Sequence, residues 1–291
     1  MSSNVGDATR TSLGETGERA RPRVLVTGAN GLIGGFVMSA WRAPGSRFEP
    51  VGLARSTGPN VDIVADIGDL DALVAASAGI DAIVHLAATS AVDSAWPAVL
   101  ESNLIGTYNV FEAARQAGVP RVVFASSNHA IGTFELEGAP ALYELDDDRV
   151  YDHTVEIRPD SLYGVSKVYG EALGRHYVDQ HRLSVVCLRI GGTRDPDHPS
   201  HPNQLWADMS DRSPETLALR RRMRAVWLSE RDCVQLIEKS VLTEEPWVLV
   251  YGISDNPRQF WDIEHARKVL GYEPQDAAPA FIGDEKDGQT D

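Results

Sequence analysis

The tightest constraint on what this chain can fold into is the segment Arg23-Val-Leu-Val-Thr-Gly28-Ala-Asn-Gly31-Leu-Ile-Gly34. A short apolar run enters a turn with glycines at every third position, and an apolar helical stretch from Leu32 to about Trp41 follows it. Gly28 permits a tight turn, Gly31 removes a Cβ where the backbone must approach a ligand, and Gly34 lets the helix lie close to the strand. Strand, glycine turn and helix in that order leave N–H groups free at the positive end of a helix dipole, which suits a pyrophosphate. The candidate contacts for a dinucleotide are therefore Gly28, Asn30, Gly31, Leu32, Ile33 and Gly34.

The alternation then repeats. Val51–Ala54, Ala82–Leu86, Val119–Ala125 and Ser184–Ile190 read as strands, and Asp69–Ala78, Pro97–Ala117 and Leu162–His181 as helices. Strands that are apolar throughout, rather than alternating, belong to a parallel sheet covered on both faces. The fold class is α/β, a doubly wound parallel sheet with a small C-terminal lobe. After Ile190 the character changes. Residues 193–215 are crowded with Pro, Asp, Ser and His and read as an irregular excursion over the carboxyl edge of the sheet. Ser229-Glu-Arg-Asp232 starts a helix to about Leu242, Val248–Tyr251 is a strand, and Asp262–Leu270 a short helix. The expected division is a tail at 1–22, a dinucleotide-binding unit at 23–190, a substrate lobe at 191–282 and a tail at 283–291.

Composition excludes several function classes. The chain has 291 residues, 43% of them hydrophobic, enough for a core and too many for wholesale disorder. A formal net charge of −15 repels nucleic acid and anionic membrane, so neither is an expected partner. Two isolated cysteines, Cys187 and Cys233, give no disulfide framework and no zinc site. No apolar leader or run of membrane-spanning length is seen, so a cytoplasmic protein is expected.

The second strand of such a fold normally ends in an acid that holds the ribose hydroxyls of NAD. Here that place reads Gly52-Leu-Ala-Arg55-Ser56. Arg55 would attract a 2′-phosphate, so the reading leans from NAD towards NADP; otherwise Arg55 stacks on adenine with either cofactor. Asp66 and Ile67 are placed to reach the adenine edge. Tyr163-Gly-Val-Ser-Lys167 puts a phenol and an ammonium on one helical face. The ammonium is expected to lower the tyrosine pKa and make it a general base for an alcohol proton. Ser126-Ser127 closes a central strand at the edge where ligands bind, so Ser127 can hold the reacting oxygen. Leu145-Asp-Asp-Asp148 reads as a solvated loop, and no metal site is expected.

With these motifs in this order, residues 23–282 resemble the extended short-chain dehydrogenase/reductases, the NAD-dependent epimerase/dehydratase family, built on a Rossmann fold. The resemblance implies that Asn103, in Asn103-Leu-Ile-Gly-Thr-Tyr-Asn109, supports the catalytic lysine and the cofactor, and that Leu86, Ala87 and Ala88 line the cofactor's path. Phe124-Ala-Ser-Ser-Asn-His-Ala-Ile-Gly132, Pro159–Lys167 and Arg222-Met-Arg-Ala-Val-Trp-Leu-Ser229 resemble the uronate dehydrogenases and their aldose-dehydrogenase relatives. Those oxidise a cyclic sugar at C1 to a lactone, so the expected substrate is a sugar acid, a related aldose or a sugar phosphate, with an anionic sugar favoured, and the likeness implies a homodimer. Catalytic Ser127, Tyr163 and Lys167, and sugar contacts at Ser90, Ser127, Asn128, His129, Tyr163 and Arg222, carry over by position. His129 also has a purely structural reading.

Three departures stand out. Gly192 replaces an expected small hydroxyl residue, the stretch from Gly192 to Arg222 is long, and Arg55 stands where the family usually has an acid. Arg220-Arg-Arg222 with Arg224 reads either as a solvated helix face or as a clamp for an anionic sugar, a carboxylate or a phosphate. Two rival functions remain: a nucleotide-sugar epimerase or dehydratase, and a non-catalytic NAD(P)-binding regulator.

Overall fold

The structure is a computed structural model that describes residues 21–198 and 211–279. The tail calls at 1–22 and 283–291, apart from the last residues of the first, and the middle of the 193–215 excursion lie outside the described residues. Among these residues seven strands form one parallel sheet: Arg23–Thr27 (β1), Glu49–Ala54 (β2), Ile63–Val64 (β3), Ala82–His85 (β4), Arg121–Ser127 (β5), Ser184–Ile190 (β6) and Trp247–Gly252 (β7). Their order is β3-β2-β1-β4-β5-β6-β7, every pair parallel. The chain turns back between β1 and β4, and a crevice opens beyond the carboxyl ends at such a reversal.

Both faces of the sheet are buried, which is why its strands carry no polar alternation. Val24 and Val26 of β1 join Leu32–Arg42 (α1) and Glu230–Leu242 (α8) in one apolar layer, while Leu25 faces the other with Phe111 and Tyr177. That second layer is covered by Leu70–Ala76 (α2), Gly106–Ala117 (α4) and Leu162–His181 (α6). Helix starts are set by side-chain caps: Asp69, Ser161 and Ser229 accept from Ala72, Gly164 and Asp232 N–H groups at 3.0, 3.0 and 3.1 Å.

Four local features differ from the sequence expectation. The helix expected over 97–117 is Trp96–Ala98 (α3), then a π-helical segment Val99–Ile105, then α4. β5 itself runs to Ser127, where Ser126-Ser127 is expected to close the strand. A short helix Thr133–Gly138 (α5) lies between the expected serine and tyrosine motifs, and Pro214–Ala225 (α7) forms where the excursion ends, capped by Ser213 on Thr216 N–H at 3.3 Å. Finally, the boundary expected at residue 190 does not separate two cores. β7 extends the sheet, and α8 and Glu264–Leu270 (α9) share the apolar layer of α1. What covers the carboxyl edge is a smaller cluster around Ile131, Tyr143, Val226, Phe260 and Trp261. Its segment 226–228 is laced into the sheet: Gly192 N–H donates to Val226 O, Leu228 N–H to Gly192 O at 2.9 Å, and Ser254 N–H to Trp227 O at 2.9 Å.

Candidate active site

A cleft of about 670 Å³ runs along the carboxyl edge of the sheet. At one end the glycine turn forms its floor. Gly28 has φ +73°, and a Cβ there would lie 2.8 Å from Ala87 N; at Gly34 a Cβ would lie 2.2 Å from Gly28 O. The turn is therefore closed to any larger residue. The N-cap of α1 is Gly31, which offers no side chain to the first-turn N–H groups, so they face the cleft for a ligand anion. Asn30, Leu32, Ile33, Arg55, Asp66, Ile67, Leu86, Ala87 and Ala88 line this end. Asp66 accepts from Gly68 N–H at 2.8 Å, and Asn30 donates to Ser56 O at 3.2 Å, which ties the glycine turn to the end of β2. These residues fit a nicotinamide dinucleotide in shape, in polarity and in the missing Cβ atoms.

The other end holds Ser90, Ser127, Asn128, His129, Tyr163, Lys167 and Arg222. Tyr163 and Lys167 are buried on α6, one helical turn apart. Lys167 Nζ donates to Ala125 O at 2.8 Å and sits 5.4 Å from the centre of the Tyr163 ring. Burial pulls Lys167 down to about 8, opposed by the charge of Glu171. The expectation that the ammonium lowers the tyrosine is corrected here. Burial pushes the Tyr163 phenol up; the opposing influence is its hydrogen bond with Ser127, and Asp160 adds a smaller upward push. The lysine's proton is turned instead towards the carbonyl at the end of β5. Ser127 Oγ also donates to Asn128 Oδ1 and accepts from His129 N–H, each at 3.3 Å.

Asn103 does not reach the cleft. It is buried in the π-helical segment, where Oδ1 accepts from Thr89 N–H at 2.8 Å and Nδ2 donates to Thr89 O and Ser166 Oγ, both at 2.9 Å. Its amide therefore pins the loop before Ser90 to α6.

Arg222 lines the cleft, but it is not the open clamp that its place in the sequence suggests. Its Nε donates to Glu135 Oε1 and its Nη2 to Glu135 Oε2 at 3.2 Å. Tyr143 OH donates to the same carboxylate at 3.1 Å. Arg221 is paired with Glu144 at 2.9 Å.

Residues 24–220 match the NAD dependent epimerase/dehydratase family. The chain belongs to that family. The resemblance read from the motifs is thereby borne out, as is the doubly wound fold. The chain is 37% identical over 268 residues to the NAD-dependent glucose-6-phosphate dehydrogenase of Haloferax volcanii, covering 89% of this chain and 95% of that protein. It is likewise 37% identical over 265 residues to an L-arabinose 1-dehydrogenase (NAD(P)(+)) of the same organism, covering 89% and 99%. Among solved structures, a mutant uronate dehydrogenase of Agrobacterium tumefaciens complexed with NAD superposes with a TM-score of 0.69 at 34% identity, covering 89% of this chain and 86% of that one.

Within this family fold, three acidic residues shape the site although no motif flagged them. Asp160 accepts from His129 Nδ1 at 2.6 Å and from Ser161 Oγ at 2.8 Å. Those hydrogen bonds and the neighbouring imidazole hold its carboxyl below the usual range, against the upward pull of its burial. Glu171 accepts from Ser126 Oγ at 2.6 Å and from two nitrogens of Arg189 at 2.9 Å, buried beneath the reactive end. Glu135 is the third. Asp160 stands three residues before Tyr163, and Glu171 one turn after Lys167, so proximity to the Tyr–Lys motif was the available signal for both.

Proposed function

We propose that the chain is a nicotinamide-dependent sugar dehydrogenase that oxidises the C1 hydroxyl of a cyclic sugar to a lactone. The observation that carries this reading is that Ser127, Tyr163 and Lys167 face the same cleft as the glycine turn. Ser127 holds the reacting hydroxyl beside Tyr163. Tyr163, as the phenolate beside the Lys167 ammonium, takes the hydroxyl proton as general base, and the phenol so formed can return that proton in the reverse direction. Lys167 keeps the end of β5 in register through Ala125 O and presents its ammonium next to the phenol. Asp160 orients His129, so that the imidazole keeps one nitrogen turned from the carboxylate for a sugar hydroxyl. Bound along the glycine turn, NAD(P) supplies the hydride acceptor.

Arg55 is exposed at the end of β2, where it can meet a 2′-phosphate, so this reading includes a modest preference for NADP over NAD. The enzyme is read as a cytoplasmic homodimer. The related names, a glucose-6-phosphate, an arabinose and a uronate dehydrogenase, support C1 oxidation of a free sugar. The test is a screen of aldoses, uronates and sugar phosphates for net NADH or NADPH formation, run on wild type and Tyr163→Phe. The variant should bind cofactor but lose about 10²–10⁴ in turnover. Sugar conversion without net cofactor reduction, or a Tyr163→Phe enzyme with wild-type turnover, overturns the reading.

A further inference from the structure

The sugar end of the cleft carries one arginine, Arg222, and the fold has already placed a carboxylate on it. Glu135 lies on α5, 87 residues away in sequence, and is brought in by the cluster that covers the carboxyl edge. Its side chain is almost wholly buried, and both oxygens are used: Oε1 accepts from Arg222 Nε and Tyr143 OH, and Oε2 from Arg222 Nη2. A bidentate guanidinium–carboxylate pair of this kind is a strong and directional contact. Two of the three guanidinium nitrogens are thereby committed. The third, Nη1, lies 3.7 Å from Met223 Sδ, and the guanidinium also bonds with the Tyr143 hydroxyl.

The other cation lining this end, Lys167, is turned to Ala125 O at 2.8 Å. Arg194 donates to Met223 O at 3.2 Å; burial lowers its pKa to about 10, the neighbouring charge of Arg222 adds to that, and Asp197 opposes it. His129 faces Asp160 at 2.6 Å. An incoming carboxylate or phosphate at Nη1 would meet an arginine whose charge is cancelled and a second anion fixed close behind it. A hydroxyl there meets an N–H donor on a guanidinium whose charge Glu135 already balances.

We infer that Glu135 is a specificity-determining residue: by cancelling Arg222 it makes this cleft select a neutral aldose over the matching uronate or sugar phosphate. The inference rests on the reading of the site as a sugar dehydrogenase and adds the charge of its substrate.

The experiment compares sugars that differ only at C6, on the cofactor-loaded enzyme: D-glucose with D-glucuronate and D-glucose 6-phosphate, and D-galactose with D-galacturonate. Both kcat/KM and calorimetric binding are read. Wild type should favour the neutral member of each pair by about tenfold or more. Glu135→Gln keeps the shape but removes the anion, and should raise the ratio of uronate to neutral sugar by at least about tenfold, since that factor needs only about 1.4 kcal/mol. Wild type favouring the uronate or the phosphate overturns the inference. So does a folded Glu135→Gln enzyme with an unchanged ratio. The wild-type comparison needs no variant, so a Glu135→Gln protein that fails to fold leaves that test intact. If no sugar is oxidised or bound in either charge state, the dehydrogenase reading itself falls, and the inference with it.

Discussion

His85 is held in the middle of the sheet between two threonine hydroxyls, Thr27 Oγ1 at 2.8 Å and Thr107 Oγ1 at 3.2 Å. Burial, with a smaller push from the Lys167 charge, lowers its pKa to about 3. An imidazole in an unfolded chain titrates near 6.5. Between those values the unfolded chain takes up a proton that the fold refuses. The stability that neutral His85 contributes is thus complete above about 6.5 and declines as pH falls towards 3. The melting temperature should drop between pH 7 and pH 5, and His85→Gln should flatten that slope; a slope unchanged by the substitution would refute the assignment. Arg55 is tested at the same scale. Arg55→Asp should turn the ratio of kcat/KM for NADP over NAD towards NAD by tenfold or so, which again needs only about 1.4 kcal/mol. A wild type that already favours NAD strongly, with Arg55→Ala neutral, would remove the argument from that position.

Among the elements, α6 lies close against the sheet. A Cβ on Gly170 would lie 2.2 Å from the Phe124 ring, and one on Gly174 2.9 Å from a Val185 methyl. The helix that carries Tyr163 and Lys167 therefore sits directly on β5 and β6. Gly170→Ala should destabilise the fold by about 1–3 kcal/mol, the usual cost of overpacking, and should lower turnover by displacing Lys167. A thermal scan showing no loss would mean the helix can retreat. The element scale also separates what the residues announced from what they concealed. Strand ends, the α6 limits and the Ser229 cap were readable because they depend on neighbours in sequence. The π-helical segment was not, since its apolar spacing matches that of an α-helix. Nor was the Glu135–Arg222 pair, because only the tertiary fold brings residues so distant together. α7 was missed although Ser213-Pro214-Glu215 is a cap, a first-turn proline and an acid in sequence, a signal obscured by the polar stretch before it.

At the scale of the whole molecule, apolar side chains lie exposed on four neighbouring elements. Trp96, Ile105 and Tyr108 come from α3, the π-helical segment and α4, and Leu162 and Val165 from α6, which packs beside them. This face is where the proposed homodimer would form, by a self-complementary contact. Light scattering at micromolar concentration should give twice the 31.7 kDa chain mass, and Tyr108→Glu should shift it to one chain. A wild-type monomer would contradict the proposal. The net charge of −15 bears on the substrate as well. It repels an anionic sugar at a distance and leaves a neutral one unaffected, so the long-range field and the Glu135–Arg222 pair select in the same direction.

The lacing of residues 226–228 into the sheet has a mechanical consequence. Residues 226–228 at the sugar end share a backbone ladder with β6 and β7 through Gly192, Trp227 and Ser254. A segment held this way is in place before any sugar arrives, so ordering it adds little to the entropy lost on docking. Warming that loosens this segment must also open the ladder beneath it. The capacity to hold the sugar and the integrity of the sheet are then lost together, in one cooperative step.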